Sequence, residues 1–124
     1  MRVLIVDDSS TMRRIIANTL KRLGYEDIVE AGDGAEGLQV LASEGADLVL
    51  TDWNMPKMDG REFVKNLRTM PEMEHVPVLM VTTHAERNDV VLALQAGVND
   101  YVVKPFTPEL LQEKITSLAV KVRA

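Results

Sequence analysis

Cysteine is absent from the 124 residues, which excludes disulfides, thiolate metal ligands and a cysteine nucleophile. That absence fits a reducing compartment. Aromatic side chains are scarce, with one Trp, two Tyr and two Phe. So few cannot build the stacking platform on which single-stranded nucleic acid is held. Positive charge is not concentrated either. Lys and Arg number 14 against 19 Asp and Glu, for a net charge of −5, and Arg13-Arg14 and Lys21-Arg22 fall at helical spacing, as on a solvated helix face. Nucleic acid is therefore not an expected partner. Long apolar runs are lacking as well. Met1-Arg2 leads into Val3-Leu4-Ile5-Val6, and Asp7-Asp8 ends the run, short of a signal-peptide core or a membrane span. The length suits one hydrophobic core. The expectation is a soluble, cytoplasmic, monomeric single domain over residues 1–124, with no output domain and no membrane contact.

What the chain does have is alternation. Short apolar, β-branched runs predict strands at Val3–Asp7, Asp27–Ala31, Asp47–Asp52, Pro77–Thr82 and Asp100–Lys104. Three of them are apolar almost without interruption, the pattern of strands covered on both faces. Between them run helical stripes: Met12, Ile15, Ile16, Thr19, Leu20 and Leu23; Leu38, Leu41 and Ala42; Phe63, Val64 and Leu67; Val90, Val91 and Leu94; Leu111, Ile115, Leu118 and Val122. Gly24, Gly45 and Gly97 end three of these helices, and Pro108 opens the last. The result is (βα)5, an α/β fold with a doubly wound five-stranded parallel sheet and right-handed crossovers.

In open parallel sheets, sites form beyond the carboxyl ends of the strands. Those ends carry Asp7-Asp8 on the first strand, Asp52 on the third, Thr82-Thr83 on the fourth and Lys104-Pro105 on the fifth. The second ends in Ala31-Gly32 and offers little. With the first and third strands adjacent, three carboxylates converge, and like charges that close raise each other's pKa or recruit a cation. Three carboxylates with a backbone carbonyl and waters suit Mg²⁺, a hard, oxygen-seeking ion. Lys104 adds an ammonium and Thr82 a hydroxyl. Together they make a site for a dianion, the need of a transferring phosphoryl group. Any one of these residues alone also fits a bland role, since Asp at a strand end is often a turn former or helix cap and Asp8, Ser9 or Ser10 suits the start of the first helix. The functional reading rests on all of them sharing one edge.

Val6-Asp7-Asp8, Thr51-Asp52-Trp53-Asn54-Met55-Pro56 with Met58-Asp59-Gly60, Val81-Thr82 and Tyr101-Val102-Val103-Lys104-Pro105-Phe106 together resemble the response-regulator receiver domains. The resemblance runs over essentially the whole chain. The stretches 52–56 and 101–106 are most similar to the stand-alone chemotaxis type. It implies a flavodoxin-like strand order 2-1-3-4-5. It also implies that Asp52 accepts a phosphoryl group from the phosphohistidine of a histidine kinase. Asp8 and Asp52 would ligate Mg²⁺ directly, Asp7 mainly through water, and the Asn54 backbone carbonyl would complete the protein ligands. Lys104 would contact the phosphoryl oxygens, Thr82 would hydrogen-bond one of them, and Lys104-Pro105 would be a cis peptide. Tyr101 would turn inward behind Thr82 and change a face read by a downstream protein such as the flagellar motor switch.

Two positions depart from the chemotaxis type: Thr83, where a smaller residue is usual, and His84, where Glu is frequent. Thr83 would crowd Tyr101, and His84 with Asn54 would tune the lifetime of the acyl phosphate. A phosphorelay intermediate or phosphate sink outside chemotaxis is the neighbouring alternative. Readings from other classes are weaker. Gly32-Asp33-Gly34-Ala35-Glu36-Gly37 matches the dinucleotide fingerprint G-x-G-x-x-G, but Asp33 and Glu36 would repel a pyrophosphate. An aspartate-dependent phosphatase would need a cap that no segment supplies. A Ca²⁺ loop at Asp52–Asp59 has Lys57 where the turn demands Gly. A binding module indifferent to phosphorylation would have no use for Asp52, Thr82 and Lys104 together.

Overall fold

Val3, Leu4, Ile5 and Val6 are all fully buried, as are Leu48, Val49 and Leu50 and, farther along, Val78, Leu79 and Met80. Alternate side chains of a strand point to opposite faces, so a sheet of such strands must be covered on both. The structure, a computed structural model describing residues 1–83 and 87–123, meets that requirement. Strands β1 (Arg2–Val6), β2 (Asp27–Ala31), β3 (Leu48–Thr51), β4 (Val78–Thr82) and β5 (Asp100–Val103) form one sheet in the order β2-β1-β3-β4-β5. Every pairing is parallel. Helices α1 (Ser10–Arg22), α2 (Gly34–Ser43), α3 (Gly60–Arg68) and α4 (Arg87–Ala96) form the crossovers, and α5 (Pro108–Arg123) follows the last strand. This is the (βα)5 sheet and the strand order that the sequence and its resemblance imply. No described helix is long and apolar enough to cross a membrane.

Two cores result. Val3, Ile5, Leu48, Leu50, Leu79, Val81 and Val102 pack with Ile16 and Leu20 of α1 and with Leu111, Ile115 and Leu118 of α5. On the other face Leu4, Val6, Val49, Val78 and Met80 pack with Leu41 of α2, Phe63, Val64 and Leu67 of α3 and Ala93 and Ala96 of α4. Each large side chain removed from water contributes about 1.5–3 kcal/mol. The starts of α1, α2, α3 and α5 have side-chain caps: Ser9 Oγ accepts from Met12 N, Asp33 from Glu36 N, Asp59 from Glu62 N and Thr107 Oγ1 from Leu110 N. Gly24, Gly45 and Gly97, at φ of +94°, +73° and +117°, make the left-handed turns that end α1, α2 and α4.

Four details differ from the sequence reading. On α4, Val91 and Leu94 are 44% and 51% exposed, while Ala93 and Ala96 face the core. The larger residues led the stripe to be phased on the wrong face. Ile15 of α1 is likewise exposed. A short 3-10 turn at Pro71–Met73 precedes β4 and was not anticipated. Arg13 is not on a solvated face: its side chain is only 21% exposed and bridges two elements.

Candidate functional site

Parallel register carries the chemistry-bearing residues to one edge. Val6 pairs with Thr51, so Asp7 and Asp52, the next residues, lie side by side at the carboxyl ends of β1 and β3. Asp52 N donates to Val6 O at 2.9 Å, and Asp7 N to Ala31 O at 3.1 Å. At the far side of β4, Lys104 N donates to Thr82 O at 2.7 Å, which continues the β4–β5 ladder by one residue and brings Lys104 to the same edge. The Lys104-Pro105 peptide is cis.

Asp7 is almost wholly buried and each of its polar atoms is committed. Beyond its N–H, Oδ1 accepts from Ser9 N at 2.9 Å, Oδ2 from Lys104 Nζ at 2.8 Å, and its carbonyl from Arg13 Nη1 at 2.6 Å. Asp52 is 9% exposed. Its Oδ1 accepts from Trp53 N at 2.7 Å, and its Oδ2 lies 3.4 Å from Lys104 Nζ. Asp8, by contrast, is exposed. Carboxylate oxygens of Asp7, Asp8 and Asp52 all lie within 4.8 Å of one another. A donor set made only of oxygens, two buried and one open to water, is what a hard divalent cation takes.

Burial pushes the Asp52 carboxyl above its usual range, and the Asp7 charge adds to the rise. Lys104 and the Trp53 N–H pull the other way without cancelling it. An ionised Asp52 is thus held at a cost in free energy, and a cation in the site would offset that cost.

Of the other predicted residues, Thr82, Tyr101, Asn54 and Thr83 fall within the described part of the chain. Thr82 is fully buried at the end of β4. Tyr101 pairs with Met80 across the sheet, so it lies on the same sheet face as Thr82, one step below it. It is half-buried, with Lys114 Nζ 5.8 Å from its ring centre. Asn54 is exposed in the loop directly after Asp52-Trp53, and Thr83 is exposed beyond β4. His84 lies outside the described residues.

Sequence reasoning missed three contributors. The Trp53 backbone N–H fixes one acceptor oxygen, which no side-chain pattern reveals. A Cβ on Gly60 would lie 2.6 Å from Asp52 O and 2.7 Å from Trp53 Cα. Gly60 N also donates to Trp53 O at 2.7 Å, so this glycine holds the loop after Asp52 against α3. Arg13 was the third. The glycines of the dinucleotide fingerprint have packing roles instead. A Cβ on Gly37 would meet Phe63 at 2.9 Å and Val6 at 3.0 Å, and one on Gly34 would meet Met58 at 3.0 Å. Asp33 and the Glu36 side chain occupy N–H groups of Glu36 and Gly32, where a pyrophosphate would need to sit.

Comparison with known proteins agrees with this geometry. The family described as "Response regulator receiver domain" matches residues 3–116. The chain is 52% identical over 116 residues to the chemotaxis protein CheY1 of Helicobacter pylori, covering 93% of this chain and 94% of that protein. It is 50% identical over 122 residues to the chemotaxis protein CheY of Pseudomonas aeruginosa, covering 98% of each. Chemotaxis protein CheY4 of Vibrio cholerae superposes with a TM-score of 0.90 at 36% identity, covering 94% of this chain and 97% of that one. The receiver domain of a Pseudomonas aeruginosa sensor histidine kinase, solved with a magnesium ion coordinated in its active site cleft, superposes with a TM-score of 0.87 at 28% identity, covering 99% and 98%. Sheet order, strand-edge site and relatives converge: the chain belongs to the response regulator receiver domain family, signalling switches rather than conventional enzymes, and is homologous to the chemotaxis regulators of two-component systems.

Proposed function

We propose that residues 1–124 act as one phosphoacceptor unit, with Asp52 the residue phosphorylated. The observation that carries this is the grouping of Asp7, Asp8 and Asp52 within 4.8 Å, with the Lys104 ammonium against two of them. Asp52 Oδ2, on the Lys104 side, attacks the phosphorus of a phosphohistidine. The P–N bond breaks, the imidazole leaves and takes up a proton, and an acyl phosphate remains on Asp52. Lys104 then has phosphoryl oxygens to bind and can leave Asp7, and the Thr82 hydroxyl stands at the end of β4, on the edge where those oxygens would lie. Asp7, Asp8, Asp52 and the Asn54 backbone carbonyl would hold Mg²⁺, which supplies neutralisation of the charge on the phosphoryl oxygens.

Phosphorylation acts by biasing two conformations. Thr82 is drawn toward the phosphoryl group, and Tyr101, on the same sheet face, follows into the space behind it. A full swing from 1:99 to 99:1 requires about 5.5 kcal/mol of differential stabilisation. Asn54 and His84 set how long the acyl phosphate lasts, and Thr83 limits the Tyr101 rotation. The relatives' names support a chemotaxis setting; the reading puts the chain in the cytoplasm, with a histidine kinase upstream and a motor-switch protein downstream.

The test uses Trp53, whose N–H contacts Asp52. Mg²⁺ and then acetyl phosphate should each change its fluorescence, and intact mass should rise by one phosphoryl group. Asp52→Asn should abolish the mass change. A phosphorylated Asp52→Asn variant, or wild type silent to both reagents, refutes the proposal.

A further inference from the structure

We infer that Arg13 is a positioning residue of the cation site, acting through the backbone of Asp7 with Glu30 as its counterweight. This rests on the reading of the acidic group as an Mg²⁺ site. Arg13 Nη1 donates to the Asp7 carbonyl at 2.6 Å, while Nε donates to Glu30 Oε1 at 3.2 Å. The guanidinium therefore spans from the first turn of α1 across the ends of β1 and β2. Its planar fork can hold two acceptors in fixed directions at once.

The carbonyl it holds belongs to the peptide that leads from Asp7 into Asp8. Asp7 has its other polar atoms bound to Ala31, Ser9 and Lys104. With the carbonyl also fixed, the Asp7–Asp8 peptide plane has one orientation, and that orientation decides where the exposed Asp8 carboxylate points. Asp8 is the one carboxylate of the three with no buried contacts to steer it. Ser9 caps α1 in the next position, so the 7–9 turn is braced from both ends.

Charge alone predicts the opposite effect. A cation beside a dication site weakens binding, so removing Arg13 should tighten it. Glu30 pairs with Arg13 at 3.2 Å and brings the net charge of the pair to zero, leaving orientation as the larger contribution. Outer partners of metal ligands typically contribute about 10–100-fold in affinity. Because some like-charge repulsion is relieved, the expected effect here is at the lower end.

The experiment is a titration of the full chain with Mg²⁺ alone, read by Trp53 fluorescence and by calorimetry. Arg13→Met, which keeps an apolar stem on α1, should weaken Mg²⁺ about tenfold. Arg13→Lys, which can still reach the Asp7 carbonyl, should stay within about threefold of wild type. The charge-balanced double variant Arg13→Met with Glu30→Gln should be as weak as Arg13→Met. Thermal unfolding without Mg²⁺ checks that each variant is folded, and the rise in midpoint on adding Mg²⁺ should shrink in parallel with affinity. If Arg13→Met fails to fold, Arg13→Gln takes its place with the same expectation. Equal or tighter binding by the Met or Gln variant, or recovery of wild-type affinity in the double variant, overturns the inference while leaving the Mg²⁺ site intact. A wild type that does not bind Mg²⁺ overturns the site reading itself.

Discussion

Lys104 Nζ lies 2.8 Å from Asp7 Oδ2 and 3.4 Å from Asp52 Oδ2, so the ammonium sits closer to the buried neighbour than to the residue proposed as acceptor. Before any cation or phosphoryl group arrives, Lys104 is the counter-charge of the site. Its side chain is 10% exposed and that of Asp7 only 2%, so the pair is shielded from bulk screening. Removing one partner of a buried pair is far worse than never having had it.

Lys104→Met should therefore lower stability at neutral pH in a chelator by about 3 kcal/mol. Added Mg²⁺ should recover a larger share of stability in the variant than it adds to wild type, because the variant lacks the competing ammonium. Urea unfolding with and without Mg²⁺ measures both. A variant as stable as wild type in chelator would mean that Lys104 does not neutralise the group.

Asp52→Asn should behave in the opposite way. The folded-state pKa of Asp52 is raised from its ordinary value of 3.8, chiefly by burial. Between the unfolded and folded pKa values the native state holds more protons than the unfolded chain, so stability falls as pH rises through that window. The penalty is absent below the unfolded pKa and complete above the folded one. Without Mg²⁺, Asp52→Asn should thus be more stable than wild type at pH 7, with the advantage shrinking as pH falls toward 3.8. Saturating Mg²⁺ should reverse the order, since wild type gains a ligand that Asn lacks. Denaturant midpoints across pH decide this. A destabilised variant at pH 7 in chelator contradicts it.

Gly60→Ala tests the loop after Asp52, the proposed acceptor. The added Cβ would lie 2.6 Å from Asp52 O and 2.7 Å from Trp53 Cα, both backbone atoms that cannot swing away. Overpacking of this kind costs about 1–3 kcal/mol. The shift would also move Asp52 relative to Lys104, so phosphorylation by acetyl phosphate should slow more than stability alone explains. The comparison is Gly45→Ala, whose Cβ would meet nothing closer than 3.8 Å but whose φ is +73°. It should lose stability with phosphorylation rate unchanged.

The strand-edge residues were legible because each follows an apolar run whose end is sharp: Val6 before Asp7, Thr51 before Asp52, Thr82 before the turn and Val103 before Lys104. Parallel topology then fixes a common edge without any knowledge of side-chain packing. Roles carried by backbone atoms were not legible. The Trp53 N–H on Asp52 and the close approach at Gly60 depend on how the loop folds back on α3. Arg13 was misread because helical spacing gives its face and not its reach. A guanidinium on a long stem can leave a solvated face and end on the carbonyl of Asp7, six residues earlier. On α4, size misled, since Val91 and Leu94 outweigh Ala93 and Ala96 in any apolar count, yet it is the alanines that are buried in the core, with Leu92 packed beside them.

Lys57 supplies the last prediction. It is the one non-glycine at positive φ among the described residues, at +69°, in the loop between Asp52 and α3. The left-handed conformation costs an L-residue about 1–2 kcal/mol. Asn tolerates it better because its short polar side chain bonds locally. Lys57→Asn should raise stability by about 0.5–1 kcal/mol. Lys57→Gly should gain less, because glycine removes the strain but also adds freedom to the unfolded chain. Lys57 is exposed and contributes no contact to the acidic group, so Mg²⁺ affinity should be unchanged in both. A fall in stability for Lys57→Asn would show that the Lys side chain contributes more to the loop than its backbone conformation costs.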